Sequence, residues 1–168
     1  MKLHLGCGRH VLEEYINIDA QDPRAHIKWD RLDNIPGINP GSADEILIVH
    51  VFEHLWPDEV LSHIEYWHSI LRPGGVLILE MPDLYKSAKN FIDRVDRGDY
   101  GDIDRMALWA FYGDNPRKSV YDCHKWGWTF ETLKPKLIQG GFREPLEKAP
   151  QWHGARVNRD FRVEATKQ

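Results

Sequence analysis

Short apolar runs alternate with segments of helical period along this chain, and that alternation restricts it to βαβ units built around a largely parallel sheet. The runs Glu45–Val49 and Val76–Glu80 are almost uniformly apolar, as strands covered on both faces are. Lys2–Leu5, Tyr15–Ile18 and a weaker His26–Trp29 complete the first group of strands. The clearest helix is Pro57–Leu71. Pro57 takes the first helical position, Asp58 and Glu59 complement the positive end of the dipole, and Val60, Leu61, Ile64, Trp67, His68 and Leu71 share one stripe. Arg72-Pro73-Gly74-Gly75 stops it. Further helices are expected over 84–97, from Asp102 through Ile103, Met106, Ala107, Ala110 and Phe111 to a stop at Gly113-Asp114-Asn115-Pro116, and over Phe130–Gln139 before Gly140-Gly141. Phe142–Lys148 and Arg156–Thr166 close the chain as an antiparallel pair, the second alternating Phe161, Val163 and Ala165 with Arg162, Glu164 and Thr166.

The length of 168 residues suits one domain, and 42% apolar residues supply its core. A net charge of −4 lacks the basic excess of a nucleic-acid or membrane-surface binder, so a small-molecule partner is expected and nucleic acid is not. Cys7 and Cys123 make no disulfide framework, which fits a reducing, cytoplasmic setting. The apolar runs fall far short of the ~20 residues that cross a bilayer, and the residues before Leu3 do not read as a signal peptide. No pattern sets an oligomeric state.

Leu3-His4-Leu5-Gly6-Cys7-Gly8 places a glycine turn at the end of the first strand, where a parallel sheet offers its ligand crevice. Eleven residues after Gly8, Asp19 closes the next strand, positioned to accept hydrogen bonds from both hydroxyls of a ribose. A dinucleotide fingerprint would require a third glycine at position 11, where Val11 stands, and a later acid, so NAD is disfavoured.

These residues resemble the class I S-adenosylmethionine-dependent methyltransferases, whose small members open with LxLGCG, a short gap and INID. Ile27–Leu32 is similar to the family's third strand and its adenine-contacting Asp, Ser42–Leu55 to its fourth strand and following loop, and Leu71–Ile78 to its "LkPGG" approach to the fifth strand. Trp128–Leu133 with Gly140-Gly141-Phe142 resembles a later segment of the family. The resemblance implies a Rossmann-like, doubly wound sheet of about seven strands, mostly parallel with an antiparallel last strand. It implies S-adenosyl-L-methionine as cofactor: Leu5, Gly6, Cys7 and Gly8 along the methionine part, Asp19 on the ribose, Asp30 and Leu32 framing the adenine, and His50 near the reactive methyl. His4 and His10 depart from the family, which usually has an acid and a third glycine there, and the gap between Gly8 and Tyr15 is too short for a full first helix. Arg9 is a candidate partner for the cofactor carboxylate.

Two other readings compete. His50-Val51-Phe52-Glu53-His54 satisfies H-x-x-E-H, a zinc-hydrolase pattern that requires a helix through these positions. A non-catalytic nucleotide-binding module is the other. The stretch 84–128 reads as an insertion over the crevice, with Tyr85, Tyr100, Trp109, Tyr112, Tyr121, Trp126 and Trp128 as aromatic faces and His124 as candidate general base. Cys123 is read as structural. Methyl transfer to an oxygen of a small metabolite or sugar is the expected chemistry, and it demands alignment and proton removal rather than a metal.

Overall fold

The computed structural model describes residues 1–99, 101, 108–114, 120–152 and 157–168. Tyr100, Ile103, Met106, Ala107, Asn115, Pro116 and Arg156, which carry parts of the predicted pattern, lie outside them. Seven strands form one sheet in the order β3-β2-β1-β4-β5-β7-β6. They are β1 (Lys2–Leu5), β2 (Ile16–Asp19), β3 (Ile27–Lys28), β4 (Ala43–Val49), β5 (Leu71–Pro82), β6 (Arg143–Lys148) and β7 (Asp160–Thr166). Only β7 runs against its neighbours, pairing antiparallel with both β5 and β6, as the alternation in its sequence implies. The helices are α1 (Val60–Ile70), α2 (Leu84–Asp96), α3 (Trp109–Tyr112) and α4 (Phe130–Gln139).

The two faces of the sheet are covered differently. Leu3, Leu5, Ile46, Ile48, Leu77, Leu79 and Val163 bury against Val60, Ile64 and Trp67 of α1 and Leu133 and Leu137 of α4, forming the main core. Gly140 lets α4 end close to α1, since a Cβ there would come within 2.2 Å of Ile64. Leu47, Val49 and Ile78 point the other way and pack with Leu12, Tyr15, Val76 and Trp152. Among the described residues Leu12, Tyr15 and Trp152 come from loops, not helices, and two buried polar groups hold the loops down. Asn17 accepts from Leu12 N–H (2.9 Å) and donates to the carbonyls of Leu12 (2.7 Å) and Tyr15 (2.9 Å). Glu80, wholly buried in β5, accepts from the N–H groups of Gln151 (2.8 Å) and Trp152 (2.9 Å).

Several boundaries differ from the sequence reading, those of α1 at both ends among them. Residues 57–59 make a turn, so α1 begins at Val60 rather than Pro57. It ends at Ile70, because Leu71 is already extended, with ψ 140, and pairs with Ala43. Pro73 disfavours a helical residue before it, and the Lys167 ammonium caps the helix by donating to the carbonyls of His68 and Leu71, each at 2.8 Å. β5 therefore spans 12 residues and carries Pro73-Gly74-Gly75 within it. In α4, Thr129 and Thr132 make a reciprocal capping box.

Replacing Asn17 by Ala leaves one N–H and two carbonyls of the 12–15 loop without their partner, at an expected cost of ~2 kcal/mol or more in urea unfolding. A loss below ~0.5 kcal/mol, the range of ordinary surface substitutions, would show that the loop is held by something else.

Candidate functional site

The order of the strands reverses at β1, whose neighbours β2 and β4 are reached in opposite directions, and a parallel sheet is open to a ligand beyond the carboxyl ends of such strands. The turn Gly6-Cys7-Gly8 leaves β1 there, His50 leaves β4 there, and a cavity of about 530 Å³ lies across the two. Gly6, Cys7, Gly8, Arg9 and His10 line one part of it, and His50, Glu53, His54 and His124 another.

The glycine turn depends on Asp19. Gly6 and Gly8 both take positive φ (65 and 48), and a Cβ on Gly6 would stand 2.3 Å from Val51 Cγ2. The Ile18 carbonyl accepts from the N–H groups of Gly6 (2.8 Å) and Cys7 (3.2 Å), while the Asp19 carboxylate accepts from Gly8 N–H at 2.9 Å and from Gln21 and Asp22 N–H, each at 2.8 Å. Asp19 thus shapes the turn as well as standing beside it. Burial, with Asp19 and Asp22 adding to it, pushes the Cys7 thiol up to about 11, so it is no nucleophile near neutral pH. Leu5 is fully buried in the core, and Leu32 is core too, its carbonyl accepting from Trp67 Nε1 at 2.8 Å. Asp30 is exposed in the loop after β3. None of Leu5, Asp19, Asp30 and Leu32 lines the cavity.

At the other end, His50 holds a φ of 53, a conformation that costs a side-chain-bearing residue energy and needs fixing from outside. Its N–H donates to the Glu80 carbonyl at 2.8 Å, its Nδ1 lies 3.2 Å from Glu53 Oε1, and its Nε2 lies 3.2 Å from Asp160 Oδ2. Burial opposes the charged ring, but hydrogen bonds to Asp160 and Glu53 outweigh it and push His50 up to about 9. Burial would raise both carboxyls, yet the cationic ring holds them ionised, Asp160 at about 2 with Arg159 assisting. Residues 50–54 do not form the helix that the H-x-x-E-H pattern requires. A 3₁₀ turn covers Phe52–His54 only, and both nitrogens of His50 face carboxylates.

His124 comes from 74 positions beyond His50 in sequence and stands beside His54, with ring centroids 4.8 Å apart. Its segment is docked by backbone bonds: the Glu53 carbonyl accepts from Lys125 (2.8 Å) and Trp126 (3.2 Å), and Asp114 N–H donates to Asp122 O at 2.9 Å. Gly113 is needed where these chains cross, since a Cβ would lie 1.9 Å from Asp122 O. Described parts of the 84–128 stretch therefore wall the cavity, with Trp109, Ala110, Asp114, Asp122 and His124. Trp126, Tyr85 and Tyr121 are exposed, and Trp128 is buried in the core. Four contributors escaped the sequence reading: Trp152, Arg159, Asp160 and Glu80. The one available signal was Glu80, a charge ending an otherwise apolar strand, which must find partners if buried.

The sequence matches no protein-family model and no curated protein. Among solved structures, the chain is similar to a SAM-dependent methyltransferase from Archaeoglobus fulgidus (TM-score 0.63, 19% identity, covering 99% of this chain and 85% of that one). It is similar to one from Methanosarcina mazei (0.64, 16%, 99% and 91%). It also resembles the 1,6-didemethyltoxoflavin-N1-methyltransferase of Burkholderia thailandensis, solved with 1,6-didemethyltoxoflavin and S-adenosylhomocysteine bound (0.58, 12%, 99% and 70%). The chain has the Rossmann-like fold of class I methyltransferases.

His4 ties the site to acidity. It is buried between Asn17, Tyr15 and the stacked ring of Trp152, and burial lowers its pKa from 6.5. The unfolded chain takes up this proton first, so the stabilising contribution is whole above pH 6.5 and is lost as pH falls through the lower folded value. Thermal unfolding at about pH 7.5 and about pH 5 should show a larger acid loss in wild type than in His4→Gln. Equal losses would contradict this placement of His4.

Proposed function

We propose that this protein is an S-adenosylmethionine-dependent methyltransferase acting on a small-molecule or sugar acceptor, at oxygen. The observation that carries the reading is the position of the cavity, which spans the carboxyl ends of β1 and β4 where the strand order reverses and joins a glycine turn to a cluster of polar side chains. The same fold holds S-adenosylhomocysteine in the Burkholderia enzyme.

In this reading the methionine part runs along Gly6, Cys7 and Gly8 beside the end of Leu5, with Arg9 meeting its carboxylate. Asp19 takes the ribose: it accepts two N–H groups through Oδ1 but one through Oδ2, which keeps capacity for a hydroxyl. Asp30 and Leu32 mark the adenine side, where an exposed loop meets the core. His50 fixes the floor under the transferred methyl, with its ring locked by Glu53 and Asp160. His124 stands at the acceptor end, and the described parts of the 84–128 stretch cap it. Methyl transfer is an in-line displacement at a carbon activated by its sulfonium, so the chain's task is to align the acceptor and exclude water. Cys7 and Cys123, neither of them in a disulfide, suit a cytoplasmic setting.

Calorimetric titration with S-adenosylhomocysteine tests the reading. Wild type is expected to bind at micromolar concentration, and Asp19→Asn, which keeps the shape but not the charge, to bind ~tenfold or more weakly. No binding to folded wild-type protein would overturn it.

A further inference from the structure

Glu53, His54 and His124 bring one carboxylate and two imidazoles together at the wall of the cavity. His54 Nδ1 lies 3.0 Å from the Cys123 carbonyl oxygen, and His124 Nδ1 lies 2.9 Å from that of Ala110. A carbonyl can only accept, so each Nδ1 carries a proton, and the tautomer this selects has its lone pair on Nε2. His124 Nε2 stands 3.9 Å from Glu53 Oε1, an acceptor facing a carboxylate. Glu53 is 2% exposed, and its Oε2 is buried with no hydrogen-bond partner among the described residues. Such an atom costs ~1–3 kcal/mol or more unless something satisfies it. One ligating atom from each of the three residues can be chosen so that all lie within 4.8 Å of one another.

We propose that Glu53, His54 and His124 bind a divalent cation of the zinc type. Two imidazoles and one carboxylate are the donor set of a zinc site that keeps a coordination position open, and imidazole donors disfavour magnesium and calcium. The backbone carbonyls on both Nδ1 atoms are the outer contacts that fix the tautomer and aim of metal-bound histidines. The H-x-x-E-H pattern contributes Glu53 and His54, but its first histidine serves as a positioning residue, donating from Nδ1 to Glu53. The third ligand comes instead from His124. All three residues line the cavity, so the open position faces it. If the methyltransferase reading holds, on which this last role rests, that position receives an oxygen of the acceptor, and His124 acts as ligand instead of base.

Metal-stripped protein titrated with Co²⁺, followed by visible absorption and then by Zn²⁺ competition, tests the site. One equivalent of Co²⁺ should give a saturable spectrum that Zn²⁺ removes. Glu53→Gln and His124→Gln should each weaken binding tenfold or more, while His68→Gln, remote from the cluster, should not change it. Circular dichroism checks folding, and His124→Gln, from a loop, decides the matter if Glu53→Gln fails to fold. Absence of a saturable spectrum in folded wild type, or wild-type affinity in the Glu53→Gln/His124→Gln double variant, would overturn the proposal. S-adenosylhomocysteine titrated into the same metal-free protein separates the two readings. Cofactor binding with no Co²⁺ spectrum overturns the metal site alone. A Co²⁺ spectrum that fails in His124→Gln supports the metal site even where no cofactor binds.

Discussion

Glu53 is a carboxylate almost removed from water at the carboxyl end of β4, and taking such a charge out of solvent costs several kcal/mol unless its surroundings answer it. The answer organises one side of the molecule. Its Oε1 meets His50, which in turn meets Asp160 at the start of β7. Its backbone carbonyl receives Lys125 and Trp126, which brings His124 from a distant part of the chain onto the wall of the cavity. A single short turn after β4 thereby joins the parallel part of the sheet, the antiparallel strand and the 120–126 segment.

The other side of the cavity has a different origin. Where the described part of the second face carries no helix on the sheet, Asn17 and Glu80 hold loops against it, and the loops bring Leu12, Tyr15 and Trp152 over β1, β4 and β5. Trp152 then stacks on His4 at the edge of the same cavity. The short stretch between Gly8 and Tyr15 has no room for a helix, and a buried asparagine does in three hydrogen bonds part of what a helix does by apolar burial.

Features fixed by local chemistry were legible in the sequence. The apolar runs of β4 and β5, α4 with its glycine stop, the alternation of β7 and the glycine turn with Asp19 all declare themselves within a few residues. Features fixed by distant contacts were not. Leu71 reads as the last residue of a helix stripe, and only its pairing with Ala43 and the reach of Lys167 make it strand. Nothing near Leu32 in sequence points to Trp67 of α1, whose Nε1 donates to its carbonyl and holds the loop after β3 against the core. H-x-x-E-H was visible, but the helix it presumes is replaced by a 3₁₀ turn, and no spacing in the sequence points from His54 to His124. Asp160 and Arg159, whose Nη2 lies 3.1 Å from His50 Nε2, reach His50 only because β7 lies beside β5 in reverse.

A crystal structure of the protein with S-adenosylhomocysteine tests the central claim most directly, because the claim concerns which part of the ligand enters the cavity and which lies beside it on Asp19. The account predicts the ribose hydroxyls on Asp19, the methionine chain along Gly6 to Gly8, and the sulfur directed toward His50 and the Glu53–His124 end. Ligand that leaves this cavity empty, or with its adenine among the histidines and its ribose away from Asp19, would contradict it.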